Sequence, residues 1–110
     1  MKQTKIEILN IDCMTYMKGL DDNAFDLCLT SPPYNMNLRV NAKGNGYCSR
    51  QITKELSSKY SGFDDNLSMV EYESFLINTM TEILRVSGLV FFNIQMITGN
   101  KPALFRFMGH

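Results

Sequence analysis

The alternation of apolar and polar residues along the chain predicts three short strands. Residues 5–11 alternate and then become apolar, which is typical of a strand. Phe25–Thr30 and residues 89–94 are compact apolar runs, and such runs are typical of strands that are mostly buried. Two prolines directly after Thr30 end the second strand, because proline has no N–H to donate to a ladder.

Helical periodicity is clearest after Ser68. Ser68 and Glu71 have the spacing of a capping box, in which a hydroxyl and a carboxylate exchange hydrogen bonds with backbone amides. Gly88 is expected to end this helix at the C′ position. Apolar residues recur four positions apart and predict the buried stripe, which consists of Tyr72, Leu76, Met80 and Leu84, with Phe75 and Ile83 beside it.

Two shorter helices are predicted on either side of this one. Residues 15–20 can form one or two turns. Asn100 as a cap and Pro102 near the first position begin a last helix, which we expect to reach His110. The resulting order is strand, helix, strand, long loop (36–63), helix, strand, helix. This alternation predicts an α/β fold with a parallel sheet and helices on its faces.

Composition excludes some classes of protein and locates the positive charge. The chain has 110 residues, 45% of them hydrophobic and 20% charged, with a net charge of zero. It therefore has a globular composition and no overall basic field for nucleic acid. Five basic residues and one acidic residue lie between positions 39 and 59, so the long loop is electropositive. Those basic residues are Arg39, Lys43, Arg50, Lys54 and Lys59.

The cysteines and the apolar runs indicate a cytoplasmic protein. Cys13, Cys28 and Cys48 are odd in number and suggest neither a disulfide framework nor, with His110 as the single histidine, a local zinc site. No secretory signal opens the chain, and residues 89–92, its longest apolar run, are too short to cross a bilayer.

The segment with the most chemistry follows the second strand. Ser31-Pro32-Pro33-Tyr34, hereafter the tetrapeptide, lies where ligands bind in open α/β sheets, outside the carboxyl end of a strand. The prolines fix two φ angles. The Ser31 hydroxyl and the Pro32 carbonyl are hydrogen-bond acceptors, and Tyr34 has an aromatic face. Two acceptors and a ring suit a planar base that carries an exocyclic amine.

With the preceding strand and Asp12, the tetrapeptide resembles the catalytic motif of the amino-methylating DNA methyltransferases, which form N4-methylcytosine or N6-methyladenine. The order of segments is similar to that of the circularly permuted group, in which this motif comes early. Residues 60–66 and 90–95 also resemble family segments. The resemblance implies a Rossmann-like methyltransferase fold, of which residues 1–110 are an N-terminal, catalytic-motif part, with S-adenosylmethionine as cofactor and DNA as partner.

The resemblance also implies roles for individual residues. Ser31 Oγ and the Pro32 carbonyl accept the hydrogens of the target amine, Pro33 makes the segment rigid, and Tyr34 stacks on a base that has left the duplex. Asp12 is either a cofactor-binding acid or a cap. The basic residues of the loop either contact DNA phosphates or are solvated. Asn93 and Gln95 either line the pocket or satisfy backbone groups.

One departure from the family leaves a second hypothesis open. No Phe-x-Gly-x-Gly cofactor loop occurs in the 110 residues, and Gly44 and Gly46 lie in the basic loop. The cofactor loop and target recognition would then come from a further part of the protein or from a partner chain. The alternative function is a non-catalytic remnant or split subunit that binds DNA or a partner.

Overall fold

The computed structural model describes residues 4–35 and 67–110. Within these ranges the chain forms helices and a small parallel sheet, so the α/β class is confirmed. The elements in chain order are α1 (Cys13–Lys18), β1 (Phe25–Thr30), α2 (Met69–Val86), β2 (Ser87–Phe92) and α3 (Lys101–Met108). None of the helices in the described ranges is long and apolar enough to cross a membrane.

The sheet pairs β1 with β2 in parallel, and α2 packs against β2. The register places Leu27 opposite Leu89 and Thr30 opposite Phe92. Asn93 continues this pairing, because its N–H donates to the Thr30 carbonyl at 2.9 Å. The residues that follow the two strands, Ser31 and Asn93, therefore lie beside each other at the carboxyl end of the sheet.

The predicted strand at residues 5–11 is wrong. The segment has no strand hydrogen bonding, and the side chains of Ile6 and Ile8 are 81% and 91% exposed. Alternation in sequence describes only the side-chain period, whereas a strand also needs a neighbouring ladder. The strand that pairs with β1 in the described residues is β2.

The core lies on one side of the sheet, in two apolar clusters along α2. One contains Met17, Ile83 and Val86, and the other contains Tyr72, Leu76 and Ala103. The strands are less buried than predicted. On the opposite face of the sheet, Leu27, Leu29, Leu89 and Phe91 are each more than half exposed.

Helix α2 begins as predicted, with Ser68 Oγ accepting from the Glu71 N–H and Glu71 accepting from the Ser68 N–H. Its predicted stripe needs two corrections, because Leu84 is 58% exposed and Met80 is only half-buried. A step of four residues turns the helix about 40° past a full circle, so three such steps leave the buried face. The buried positions are Tyr72, Leu76, Thr79, Ile83 and Val86.

The end of α2 also differs from the prediction. Ser87, with extended backbone angles, is the C-cap and already belongs to β2. Gly88 follows this cap at the predicted C′ position, but it is a strand residue and does not have the left-handed φ of a glycine cap. A Cβ atom at this position would lie 3.3 Å from the Asp26 carbonyl oxygen, so glycine permits the close approach of the two strands.

The two short helices are shifted or shortened relative to the prediction. Helix α1 begins two residues earlier, at Cys13, and ends at Lys18. Helix α3 ends at Met108 and not at His110, because the Gly109 N–H closes its last turn on carbonyls such as that of Phe105. Pro102 lies in the first turn as predicted.

Candidate functional site

The tetrapeptide lies at the carboxyl end of β1, where the sequence predicts it. Ser31 is exposed, the Pro32 ring is buried, and Pro33 and Tyr34 are half-buried. Asn93, which follows β2, is exposed beside it. The segment is thus accessible on one side and held by the protein on the other.

Helix α2 holds the tetrapeptide through Tyr72. This residue lies in the first turn of the helix and its side chain is fully buried. Its hydroxyl donates to the Pro33 carbonyl at 2.7 Å. Because Pro33 also has a fixed φ angle, the hydrogen bond fixes the direction of the backbone in the middle of the motif.

Asn35 anchors the residue after the tetrapeptide. Its backbone has a φ of 55°, in the left-handed region that asparagine tolerates better than most residues. The buried side chain accepts from the Leu67 N–H at 2.7 Å and donates to the Leu67 carbonyl at 2.9 Å. It also reaches the Gly99 carbonyl at 3.1 Å. One amide therefore joins the chain after β1 to the segments that precede α2 and α3.

Asn100 completes this support from the other side. It occupies the N-cap position of α3, but its side chain does not cap the helix, contrary to one expectation from the sequence. The fully buried amide donates to the carbonyls of Tyr34 and Gln95, both at 2.9 Å, and accepts from the Ile97 N–H at 2.9 Å. We call Asn35 and Asn100 the asparagine clamp.

Sequence reasoning missed the clamp. A signal for Asn35 was present, since an asparagine after a rigid two-proline turn is well suited to a left-handed backbone. The contact of Asn100 with Tyr34 had no such signal, because it spans 66 residues and follows from tertiary packing. The clamp gives a hydrogen-bond partner to part-buried carbonyls of four different residues.

The accessible side chains of the site form a short chain of hydrogen bonds. Ser31 Oγ lies 2.9 Å from Tyr34 Oη, and Asn93 Nδ2 donates to Tyr34 Oη at 3.4 Å. The polar edge of the Tyr34 ring is thus joined to the Ser31 hydroxyl, while both groups remain open to a ligand. Asn93 was expected either to line the site or to satisfy backbone groups, and the contact of its side chain with Tyr34 Oη favours the first interpretation.

Asp12 serves as a helix cap in this structure. Its Oδ1 accepts from the Thr15 N–H at 2.9 Å and from the Thr15 hydroxyl at 3.0 Å. The Thr15 backbone hydrogen bond, followed by the Thr15 side-chain bond, holds the pKa of this carboxyl below its usual value. Its role toward a cofactor stays a prediction.

A surface hollow of about 430 Å³ near Asp12 lies away from the tetrapeptide. It is lined by Glu7, Leu9, Ile11, Cys13, Tyr16 and Phe25. Phe25 begins β1 and Ser31 follows its end, so the two lie roughly 20 Å apart at about 3.3 Å per residue. Reacting atoms must come within about 3.5 Å of each other. This hollow is therefore too far from the tetrapeptide to present a reacting group to a base that is bound at Ser31.

Several residues of interest lie outside the described ranges. They are the basic residues of the long loop, Arg39, Lys43, Arg50, Lys54 and Lys59, together with Cys48 and the family-like residues 60–66. Cys13 and Cys28 carry free thiols. In the part of the chain that the structure describes, no group of three or more His, Cys, Asp or Glu side chains could hold a metal ion.

No known protein family, curated protein or solved structure matches this chain. The function is therefore inferred from the tetrapeptide, its surroundings and its chemistry.

Proposed function

We propose that this chain carries the catalytic segment of a DNA methyltransferase that acts on the exocyclic amine of a flipped base, N4 of cytosine or N6 of adenine. One observation supports this most strongly. The tetrapeptide lies at the carboxyl end of a parallel strand, with its backbone held by Tyr72, Asn35 and Asn100 and its Ser31 and Tyr34 side chains accessible. This location is typical of ligand sites in open α/β sheets.

The chemistry of the segment suits such an amine. The nitrogen lone pair of an exocyclic amine is conjugated into the ring, which makes it a poor nucleophile. Ser31 Oγ and the Pro32 carbonyl accept its two hydrogens and favour a pyramidal nitrogen with an available lone pair. Because the supports hold the acceptors in place beforehand, little reorganisation is needed when the base binds.

Tyr34 provides the surface on which the base stacks. Stacking of a base on an aromatic side chain contributes about 1–3 kcal/mol. The Tyr34 carbonyl is bound by Asn100 and its hydroxyl lies against Ser31, so both ends of the residue are fixed. A base on this ring has its amine near Ser31.

The proposal includes a Rossmann-like fold of which the described α/β unit is a part. In this class S-adenosylmethionine supplies the methyl group. Since the sequence has no Phe-x-Gly-x-Gly loop and the hollow near Asp12 is remote from the tetrapeptide, the proposal places the residues that bind it elsewhere in the functional protein. The basic residues of the long loop are proposed to contact DNA phosphates, which would contribute affinity without sequence information.

The test is methyl transfer by the protein as its host produces it. The purified protein is incubated with DNA and labelled S-adenosylmethionine, and the DNA is digested to nucleosides for mass spectrometry. We expect N4-methylcytosine or N6-methyladenine. Tyr34→Ala should abolish detectable transfer, because it removes the stacking ring and the hydroxyl beside Ser31.

Ser31→Ala should lower transfer strongly, while Ser74→Ala, an exposed serine on α2, is the matched control and should leave it unchanged. Circular dichroism of each variant checks that the fold survives. Transfer that is unchanged in Tyr34→Ala would contradict the role of the ring. Methylation of RNA or protein in place of DNA would replace the proposed substrate.

A second candidate function is supported by the exposed face of the sheet. Leu27, Leu29, Leu89 and Phe91 form an apolar surface, although parallel sheets are usually covered on both faces. A split subunit that meets a partner chain through this face would explain the exposure. Under this hypothesis the chain alone transfers no methyl group, and a partner copurifies with it.

A further inference from the structure

The direction of the hydrogen bonds at the tetrapeptide has a consequence for the substrate. The amide nitrogen of Asn93 can only donate, so Tyr34 Oη is the acceptor of the 3.4 Å bond. The hydroxyl hydrogen of Tyr34 is then available for Ser31 Oγ, 2.9 Å away. Either hydroxyl could be the donor in this contact, and we take Tyr34 as the donor, so that the chain of donors runs from Asn93 through Tyr34 to Ser31.

This direction determines what Ser31 can offer to a ligand. A serine hydroxyl has one hydrogen and two lone pairs. Tyr34 occupies one lone pair, and the proposed function assigns the other to a hydrogen of the target amine. The Ser31 hydrogen is left to donate, and it needs an acceptor beside the amine.

We propose that Asn93 is a positioning residue that acts through Tyr34 and directs the Ser31 hydroxyl hydrogen at an unprotonated ring nitrogen beside the target amine. The inference rests on the proposed function and deepens it. Cytosine has such a nitrogen at N3 and adenine at N1. A base with an N–H at this position would place that donor against the Ser31 hydroxyl, which is also a donor, and the site would reject it.

The backbone supports this assignment independently of the side-chain contacts. The Asn93 N–H donates to the Thr30 carbonyl at 2.9 Å and continues the parallel ladder of the sheet. Asn93 is therefore held next to Ser31 by the same pairing that forms the sheet. Its exposed side chain is free to lie along the edge of a bound base.

The experiment compares a natural base with its deaza analogue, in which C–H replaces the ring nitrogen. DNA that contains 3-deazacytosine or 1-deazaadenine is used, according to which methylated base the host-produced protein forms. The readout is the ratio of kcat/KM for the natural base to kcat/KM for the analogue. We expect this ratio to be about tenfold larger in the unaltered protein than in Tyr34→Phe, the magnitude of one hydrogen bond.

Asn93→Asp is the sharper variant, since a carboxylate accepts from Tyr34 and reverses the chain of donors. It should lower the ratio as much as Tyr34→Phe does, whereas Asn78→Ala, an exposed asparagine on α2, should preserve it. A purely structural role for Asn93 would lower both rates and leave their ratio constant. Comparison within each variant cancels the electronic difference between the two bases.

The outcomes separate this inference from the proposed function. Transfer to natural DNA with the same ratio in every variant overturns the role of Asn93 and leaves the methyltransferase proposal in place. Absence of transfer to any DNA overturns both. The inference is supported if the ratio falls in Tyr34→Phe and in Asn93→Asp but is unchanged in Asn78→Ala.

Discussion

The two ends of helix α2 are joined to the rest of the molecule in different ways. At its first turn, Tyr72 and the asparagine clamp hold the backbone around the tetrapeptide with neutral, buried groups. At its last turn, the connection is made by the side chain of Arg85, which is charged and 29% exposed. Its guanidinium donates to the carbonyls of Met17 and Leu20.

The Arg85 end also includes two carboxylates. Arg85 pairs with Glu82 at 2.9 Å and Asp22 at 3.0 Å. These bonds, that from Glu82 first, hold the pKa of the guanidinium above its usual value. The Asn23 N–H donates to the Arg85 carbonyl, so the start of β1 is tied to the same residue.

The two ends use different side chains because they bind different kinds of partner. An arginine can only donate, so it gathers carbonyls and carboxylates at a surface. An asparagine amide both donates and accepts, so it can pair with an N–H and a carbonyl at once, as Asn35 does with Leu67. Neutral supports also add no charge beside Ser31, where a neutral base is proposed to bind.

The largest change in stability is expected from a substitution in the asparagine clamp. Asn100→Ala should lower the free energy of unfolding by about 3 kcal/mol, because it removes three hydrogen bonds of a fully buried side chain to two part-buried carbonyls and one N–H. Urea unfolding followed by circular dichroism measures the change. The exposed Asn78→Ala is the control and should have little effect. A loss as small as that of the control would mean that water replaces the clamp.

The second prediction concerns Tyr72. Tyr72→Phe keeps the packed ring but removes the 2.7 Å bond to the Pro33 carbonyl, so stability should fall by about 1.5 kcal/mol. The same change at Tyr16, whose hydroxyl makes no hydrogen bond within the described ranges, should leave the urea midpoint unchanged. Equal midpoints for the two variants would show that the bond contributes nothing net.

These supports are the part of the site that the sequence could not predict. The tetrapeptide, β1 and the capping box of α2 are local features, and the sequence predicts each of them. The contact of Asn100 with Tyr34 spans 66 residues and that of Tyr72 with Pro33 spans 39, so these two contacts arise only from packing. Local residue types cannot show which distant carbonyl will lie beside a side chain.

The errors in the fold have a similar origin. The strand predicted at residues 5–11 has the right side-chain period, but a ladder depends on a neighbour that the period does not describe. Leu84 was predicted to be buried from steps of four residues, whereas the helix repeats every 3.6. Leu27 and Leu89 are apolar but exposed, because burial requires a second layer over the sheet.

A third prediction contrasts the ends of α2 by their response to salt. Arg85→Gln removes the charge that pairs with two carboxylates but keeps an amide that can donate to one of the two carbonyls. We expect a smaller loss of stability than for Tyr72→Phe. The loss should shrink further between 0.05 and 1 M salt, since screening weakens exposed ion pairs. The Asn100→Ala loss should not change with salt, and equal salt dependence would remove the distinction between the ends.

The smallest effect is expected at the N-caps of α1 and α2, where the dependence of stability on pH is measured. The hydrogen bonds from Ser68 lower the pKa of Glu71, and those from Thr15 lower that of Asp12. Each carboxylate therefore contributes stability that is fully present above its unfolded pKa, about 4.3 for Glu and 3.9 for Asp, and is lost as the pH falls through the lowered folded value.

Glu71→Gln and Asp12→Asn keep an acceptor oxygen at the cap but cannot titrate. Each should leave stability at pH 7 nearly unchanged and flatten its decline between about pH 5 and pH 2, as measured by urea midpoints across that range. A decline as steep as that of the unaltered protein in both variants would show that other carboxylates determine the acid sensitivity, and that the two caps hold equally well with their acids protonated.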